Sequence, residues 1–161
     1  MNFRNAIQPS DVQHIKDILA STGFFDQAPD EIDIAVELAE YALKNGNKIE
    51  NYDFIFAEED GKVLGYTCFG HTPCTLNTFE IYWIAVDATL QHGGVGRGLI
   101  NEVLKKIKPL GAKKLVLYTA GRDQYIPTHR FYEAVGFKEE ARLKNYYDEG
   151  DDSVIYTIDI R

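Results

Sequence analysis

Apolar residues recur at helical spacing in the first third of the chain. Residues 9–23, "PSDVQHIKDILASTG", carry such a stripe, and Ser10 and Gln13 have the spacing of a capping box at its start. The stripe comprises Val12, Ile15 and Leu19. Residues 29–47, "PDEIDIAVELAEYALKNGN", carry a second stripe with a glycine near its end. These patterns predict two helices, preceded by a weakly alternating strand at residues 2–7.

The middle of the chain changes to runs of β-branched and aromatic residues. Residues 52–70 predict a hairpin, because the pair Asp60-Gly61 separates two such runs and is a strong turn signal. Residues 78–86, "TFEIYWIAV", form a long apolar run that predicts a central strand. Helical spacing returns in "LINEVLKKIKPLG", residues 99–111, which predicts an amphipathic helix. Its apolar face comprises Leu99, Val103, Leu104 and Ile107.

The last third of the chain alternates between short elements. Residues 113–120, "KKLVLYTA", predict a strand, and residues 127–136, "PTHRFYEAVG", predict a short helix between a proline and a glycine. Two final strands, residues 137–147 and 153–160, are joined by the turn "DEGDD". The strand–helix–strand succession before the short helix implies a parallel crossover, whereas hairpins pair antiparallel. We therefore expect one α/β domain, residues 1–161, with a mixed sheet and helices on both faces.

Composition and charge narrow the class of partner. The chain is 45% hydrophobic and 26% charged, as in ordinary globular proteins. No apolar run approaches the roughly 20 residues of a membrane span, and the first residues lack the features of a secretory signal, so we expect a cytoplasmic protein without membrane attachment. The formal charge of −8 argues against nucleic-acid binding, which needs Lys and Arg on phosphates. It is compatible with cationic small substrates.

A C-x-x-H-x-x-C pattern raises the question of a metal site. It consists of Cys68, His71 and Cys74. A structural zinc site takes about four ligands, and no fourth ligand is evident nearby. We expect two reduced thiols and a loop histidine, and no metal.

The segment "QHGGVGRG" follows the predicted central strand and opens a helix, the usual place for a phosphate-binding loop. A Walker pattern starting at Gly93 fails, because Leu-Ile follows its second glycine where Lys and Ser or Thr are required. The dinucleotide fingerprint G-x-G-x-x-G also fails, because a match starting at Gly94 has Leu99 in place of the last glycine. A match starting at Gly96 has Asn101 at that position. A third pattern, Q/R-x-x-G-x-G/A, is filled by Gln91, Gly94 and Gly96.

The third pattern has the features of an anion-binding site. Glycines let a ligand approach the backbone closely, and four glycines in six residues are costly in chain entropy unless something requires them. The free N–H groups of a helix's first turn attract anions. Consecutive amides from about residue 92 to 97 could bind a pyrophosphate.

At this point the chain resembles the GCN5-related N-acetyltransferases (GNAT), which use acetyl-coenzyme A. Two motifs carry the resemblance: Q/R-x-x-G-x-G/A after the fourth strand and "FYEAVGF", residues 131–137, after the fifth. The resemblance covers nearly the whole chain and is strongest to small stand-alone bacterial members. It implies about seven mostly antiparallel strands, a parallel central pair splayed at a bulge, and four helices on both faces.

The resemblance also implies where acetyl-CoA binds. The glycine loop would hold the pyrophosphate, with Arg97 either adding charge or simply solvated, and the fourth strand after the bulge would pair with pantetheine. The residues concerned are Ile84, Ala85, Val86, Gln91, His92, Gly93, Gly94, Val95, Gly96, Arg97, Gly98 and Tyr132.

Three residues are candidates for the chemistry. Glu80 interrupts an apolar strand, where a carboxylate is costly unless it faces a cleft, and could act as general base or simply reach solvent. The resemblance implies that Tyr132 protonates the leaving thiolate and that the Ile84 N–H stabilises the oxyanion. The sequence departs from the family pattern at Tyr125, where many members carry Asn. His129 is expected at the surface.

The acceptor site is implied less sharply. By resemblance it lies between the first two helices and the last two strands, with aromatic walls from Phe24, Phe25, Tyr82, Tyr146 and Tyr147 and negative charge from the acidic turn after them. Such a site suits a cationic primary amine: a small amine, an amino acid or a peptide N-terminus. The leading hypothesis is an acetyl-CoA-dependent N-acetyltransferase acting through a ternary complex. The alternative is a non-catalytic acetyl-CoA-binding sensor, and a homodimer stays open.

Overall fold

The computed structural model describes residues 1–90 and 93–161. In these residues the chain forms seven strands and four α-helices. The strands are β1 Asn2–Arg4, β2 Asp53–Glu59, β3 Lys62–His71, β4 Thr78–Val86, β5 Lys114–Ala120, β6 Lys138–Asp148 and β7 Asp151–Asp159. The helices are α1 Asp11–Ser21, α2 Asp30–Asn45, α3 Val95–Ile107 and α4 Ile126–Ala134. The order of elements predicted from the hydrophobic pattern is confirmed.

All seven strands join one sheet in the order β1-β2-β3-β4-β5-β7-β6. Only the central pair, β4 and β5, is parallel, and the other neighbours are antiparallel. The predicted hairpin is confirmed: Asp60 and Gly61 have φ values of 50° and 77°, which match the two central positions of a tight hairpin turn. The mixed sheet with a parallel centre therefore has the expected form.

The helices cover the sheet in two separate layers. α1 and α2 pack with one buried cluster, which includes Phe54, Phe56 and Tyr66. α3 packs on the opposite face in a second cluster, to which α4 contributes Tyr132. Within residues 1–90 and 93–161, none of the helices combines the length and apolar character needed to cross a membrane.

Helix α3 begins four residues earlier than the hydrophobic stripe indicated. Glycine is a weak helix former, so the sequence placed the start at Leu99, whereas the helix starts at Val95. Val95 is buried one turn before Leu99 and extends the apolar face. Most of the predicted stripe is fully buried, but Leu104 is only partly so and Ile100 takes its place in the core.

The start of α1 corrects a second expectation. Ser10 makes no side-chain capping bond, so the predicted capping box is wrong. Asp11 replaces it: its buried carboxylate accepts the Gln8 N–H at 2.7 Å and a two-pronged contact from Arg4 at 2.9 Å. The same contact ends β1 at Arg4 instead of residue 7, because the chain turns there from the sheet toward α1. The paired charges tie β1 to the first helix.

Candidate active site

A bulge in β4 opens the centre of the sheet. The β3–β4 register runs from Cys68↔Trp83 to Phe69↔Ile81, so Tyr82 is an extra residue on β4. The parallel pairing with β5 stops at Ile81↔Leu117. Beyond that point Trp83–Val86 of β4 and Tyr118–Ala120 of β5 are no longer paired, and we call the gap between them the β4–β5 cleft. The splayed central pair implied by the family resemblance is confirmed.

The β4 side of the cleft offers unpaired backbone groups. Asp87 donates its N–H to Leu64 O at 2.9 Å, and this bond shows which residues of β4 point their backbone groups toward β3. Because this direction alternates along an antiparallel strand, Ala85 bonds to β3, whereas Ile84 and Val86 point their N–H and C=O groups into the cleft. An extended, amide-containing ligand could therefore pair with Ile84 and Val86.

Helix α3 starts at the open end of this cleft. Gly94, its N-cap, has φ 75° and ψ 8°, and a Cβ added there would meet nothing within 4 Å. Gly98 donates its N–H to Gly94 O at 3.0 Å, whereas among the described residues the N–H groups of Gly94 and Arg97 have no such i−4 partner. Gly93 N–H is already used by Leu90 O at 3.1 Å. The candidate donors for an anion are thus the N–H groups of residues 94–97, a narrower set than the sequence suggested; Gln91 and His92 lie outside the described residues.

Two of the four glycines have a packing reason rather than a ligand reason. A Cβ on Gly96 would lie 2.8 Å from Cζ of Phe131, so this glycine lets α3 pack against α4. A Cβ on Gly98 would lie 2.5 Å from Cζ of Phe3. Arg97 donates to Ala134 O at 3.1 Å and so caps the last turn of α4. The two motifs of the sequence, the glycine loop and "FYEAVGF", are in direct contact.

Tyr132 occupies a fixed position in α4. Its ring lies 5.5–5.7 Å from three aromatic rings, and only 7% of the residue is exposed. These rings belong to Phe131, Phe137 and Tyr156. Burial raises the pKa of Tyr132 well above its usual value, with smaller contributions from Tyr125 and Tyr156. The hydroxyl is therefore protonated at neutral pH, although the raised pKa makes it a weaker acid than an exposed tyrosine.

Glu80 is half-buried on β4, two residues before the bulge. Burial alone raises its pKa, and among the described residues its carboxylate has neither a cation nor a hydrogen-bond donor as partner. The charge of Glu80 in turn helps raise the pKa of Tyr82 to about 12, after the larger effect of burial. It also contributes to the raised pKa of Tyr118, again after burial. Strand alternation and the pairing of Glu80 with Val116 put Glu80, Tyr82 and Tyr118 on the face of the sheet that α1 and α2 cover.

The predicted aromatic walls have different environments. Phe24 stacks on Tyr125 with ring centroids 4.5 Å apart, whereas Phe25 packs 5.9 Å from Trp83 as part of the core under α1 and α2. Tyr82 meets the edge of another ring, Tyr52, at 5.4 Å. Two further tyrosines, Tyr146 and Tyr147, are 62% and 50% exposed on β6, with their rings 4.9 Å apart. Phe24 is thus held against the loop after β5, whereas Phe25 and Tyr82 both pack against the core under α1 and α2.

The acidic turn after β6 contributes less free charge than its sequence suggests. Asp151 is buried and pairs with Arg122 at 2.8 Å. Asp152 accepts the Asn145 N–H at 2.9 Å and pairs with Arg142 at 3.2 Å. These two carboxylates therefore stabilise the β6–β7 hairpin and its junction with β5.

His129 corrects another expectation. It was expected at the surface, but it is half-buried, and its Nε2 lies 2.7 Å from Ala120 O at the end of β5. Its ring also packs 5.8 Å from Tyr156. The helical wheel misplaced it because the face opposite Phe131 is covered by the end of β5, which the sequence of α4 alone does not reveal.

Sequence reasoning missed Tyr118 as a site residue. It lies on the same strand face as Lys114 and Val116, because side chains alternate along β5, and it is 52% exposed. Alternation along "KLVLYTA" puts Tyr118 on the face opposite Leu115 and Leu117, which is a sequence signal that could have drawn attention to it. Tyr125 was noted only as a departure from a pattern, and its contacts became apparent from the fold.

The C-x-x-H-x-x-C pattern does not form a cluster. Cys68 is buried, Cys74 is exposed in the β3–β4 turn, and the imidazole of His71 lies 3.1 Å from Leu76 O. Across the part of the chain that the structure describes, no group of three His, Cys, Asp or Glu side chains could hold a metal ion.

Known proteins share this fold. The model of the acetyltransferase (GNAT) family matches residues 14–137. A crystal structure of a Desulfovibrio desulfuricans protein, described as an acetyltransferase of that family, aligns with a TM-score of 0.93 at 42% identity and covers 99% of both chains. The ribosomal protein bS18-alanine N-acetyltransferase of Escherichia coli K12 is 27% identical over 123 residues, 74% of this chain and 78% of its own. An aminoglycoside 6'-N-acetyltransferase solved with coenzyme A has a TM-score of 0.78 at 17% identity, covering 100% of this chain and 98% of its own.

Proposed function

The chain belongs to the GNAT family of N-acetyltransferases, and we propose that it transfers the acetyl group of acetyl-CoA to a primary amine by direct attack in a ternary complex. The observation that carries this proposal is the carboxylate of Glu80, which is desolvated and unpaired within residues 1–90 and 93–161, beside a cleft with free strand backbone. A single domain, residues 1–161, would carry the activity.

The residues around the cleft fit acetyl-CoA. The open space beside Gly94 admits a ligand where a Cβ would project, and the N–H groups of residues 94–97 face the same end of α3. Ile84 and Val86 supply backbone groups for the amides of the pantetheine arm. When bound, acetyl-CoA supplies the acetyl group as a thioester. Gln91 and His92 would extend the pyrophosphate site.

Glu80 would act as the general base. A primary amine has a pKa of about 10, so it arrives mostly as ammonium at neutral pH and must lose a proton before it can attack. Burial raises the pKa of Glu80 above its usual value, which makes the carboxylate a better proton acceptor than an exposed glutamate. Tyr82 and Tyr118 line the same face and would orient the amine.

Ile84 and Tyr132 would complete the transfer. The Ile84 N–H points into the cleft and can donate to the carbonyl oxygen as negative charge develops there; one such fixed donor contributes roughly 3 kcal/mol. The Tyr132 hydroxyl, protonated at neutral pH, would donate to the leaving sulfur as negative charge develops there, while the proton of the amine passes to Glu80.

The acceptor is proposed to be cationic and small enough at its amine end to reach Glu80. Phe24 and Tyr82 would form the wall, with Tyr146 and Tyr147 at its outer rim. The similarity to an enzyme named for acetylating an alanine of ribosomal protein bS18 makes a peptide N-terminus one candidate beside small amines and amino acids.

A thiol-release assay on an amine panel tests the proposal. Purified protein, acetyl-CoA and amines of each class are incubated together, free thiol is followed, and the acetylated product is verified by mass spectrometry. We expect turnover with at least one primary amine, greatly reduced by Tyr132→Phe. Binding of acetyl-CoA without turnover on any class would favour the sensor alternative over the enzyme.

A further inference from the structure

Three side chains from two loops stack in one column beside the cleft. Phe24, in the α1–α2 segment (residues 22–29), lies parallel to Tyr125 with centroids 4.5 Å apart and an interplanar angle of 27°. The guanidinium of Arg122 lies 4.7 Å from the centroid of the same Tyr125 ring. The Tyr125 ring thus contacts two groups of the protein itself, one from the α1–α2 segment and one from the loop after β5.

The outer layer of this stack is anchored to the sheet. The buried carboxylate of Asp151 accepts the backbone N–H groups of Gly121 and Arg122, each at 3.1 Å, and the Arg122 side chain at 2.8 Å. Arg122 also reaches Gln124 at 3.3 Å. These bonds fix the guanidinium over Tyr125, so the stack is attached to the ends of β5 and β7.

The other end of the α1–α2 segment is attached to the opposite side of the cleft. Ser21, the last residue of α1, accepts the Ala88 N–H at 3.1 Å, just after the end of β4. The Phe24 ring reaches Tyr125, which follows β5. The segment therefore spans the β4–β5 cleft, with one attachment on each side.

Tyr125 is also close to the proposed chemistry. The pKa of Tyr132 is affected by Tyr125, and the pKa of Tyr125 by Tyr147, in each case after the larger effect of burial.

We propose that Tyr125 is a positioning residue, which acts through its ring to seat the α1–α2 segment across the cleft and thereby sets the affinity for the amine. This inference rests on the proposed function. It assigns the hydroxyl of Tyr125 no role in binding acetyl-CoA. Removal of the ring frees the segment from β5 but leaves the α3 start and the β4 backbone unchanged.

Two substitutions at Tyr125 separate the ring from the hydroxyl. Tyr125→Phe keeps the stack, and we expect its KM for the amine and for acetyl-CoA to match the wild type. Tyr125→Leu keeps an apolar side chain without the ring, and we expect the KM for the amine to rise about 3- to 10-fold, the range of aromatic pair strengths, with the KM for acetyl-CoA unchanged. Phe24→Leu should reproduce the change, and the double variant should not add to it.

The control is His71→Leu, which removes an aromatic contact to Phe79 at 5.3 Å on the far end of β4. It should affect stability alone. A rise in the KM for acetyl-CoA in Tyr125→Phe would overturn the proposal and give the hydroxyl a role at the coenzyme.

Hydrogen exchange keeps the proposal testable if no amine is turned over. In the complex with coenzyme A, amides of residues 22–29 should exchange faster in Tyr125→Leu than in Tyr125→Phe, whereas those of α3 should not differ. Equal exchange in the two variants would show that the ring does not hold the segment, whatever the fate of the proposed function.

Discussion

Gly94→Ala is the sharpest perturbation of the proposed coenzyme site. Gly94 has φ 75° and no atom within 4 Å of an added Cβ, so the new methyl group would project into open space beside the first turn of α3. In the absence of ligand, the substitution should destabilise the protein only through the left-handed backbone conformation, which costs about 1–2 kcal/mol for a residue other than glycine. A bound pyrophosphate would meet the methyl group directly.

The effect on binding can be worked out separately. A hydrogen bond to a charged group contributes about 1.5–3 kcal/mol, so displacing the ligand from one such amide weakens binding by roughly 10- to 150-fold. Isothermal titration calorimetry with coenzyme A measures the change in Kd, and thermal unfolding measures the change in stability. For a chain of this size each kcal/mol lowers Tm by about 2–4 °C.

Gly61→Ala is the matched control. Gly61 has φ 77° and also no atom within 4 Å, but it lies in the β2–β3 turn, which contributes no residue to the β4–β5 cleft or to the start of α3. The two variants should lose similar stability, and only Gly94→Ala should lose affinity. Wild-type affinity in Gly94→Ala, or an equal loss in Gly61→Ala, would refute the assignment of the pyrophosphate to the start of α3.

Three further predictions follow from the same geometry. Tyr132→Phe should lower kcat by about 100-fold or more, the usual contribution of general acid catalysis, while calorimetry shows coenzyme A still bound; full activity would exclude the proton-donor role. Glu80→Gln should lower kcat/KM and remove the acidic limb of its pH profile. Burial raises the Glu80 pKa in the folded state, so the contribution of Glu80 to stability is present below its unfolded pKa of about 4.3 and is lost as pH rises through the folded pKa. Glu80→Gln should therefore raise Tm at neutral pH but not below about pH 4. An unchanged Tm at neutral pH would contradict the burial of this carboxylate. Gly96→Ala should destabilise the protein by forcing the Phe131 ring to move, and scanning calorimetry that finds wild-type stability would contradict this packing.

Features set by local sequence were predictable. Hydrophobic spacing placed every helix and strand, because each element buries one face or one stripe. The phosphate-loop pattern and "FYEAVGF" identified the family, since both motifs are continuous in sequence and need specific residues at fixed spacing. Errors at these elements were confined to their ends. The start of α3 was placed too late because its first turn contains glycines, which are weak helix formers.

Features set by contacts between distant elements were not predictable. The reason for glycine at position 96 is Phe131, 35 residues later, and no local pattern distinguishes this packing from a ligand site. Asp151 reads as one acid among several in a turn, yet it is buried against Arg122. The stack of Phe24 on Tyr125 joins two loops from opposite parts of the chain, so the role of Tyr125 became visible only when the fold brought them together.

A crystal structure of the protein with coenzyme A tests the central claim most directly. The account predicts that the pantetheine amides pair with the backbone of Ile84 and Val86, that the pyrophosphate lies on the N–H groups of residues 94–97, and that the sulfur lies within hydrogen-bond reach of the Tyr132 hydroxyl. Coenzyme A bound elsewhere, or a sulfur far from Tyr132 on the outside of the β4–β5 cleft, would contradict it.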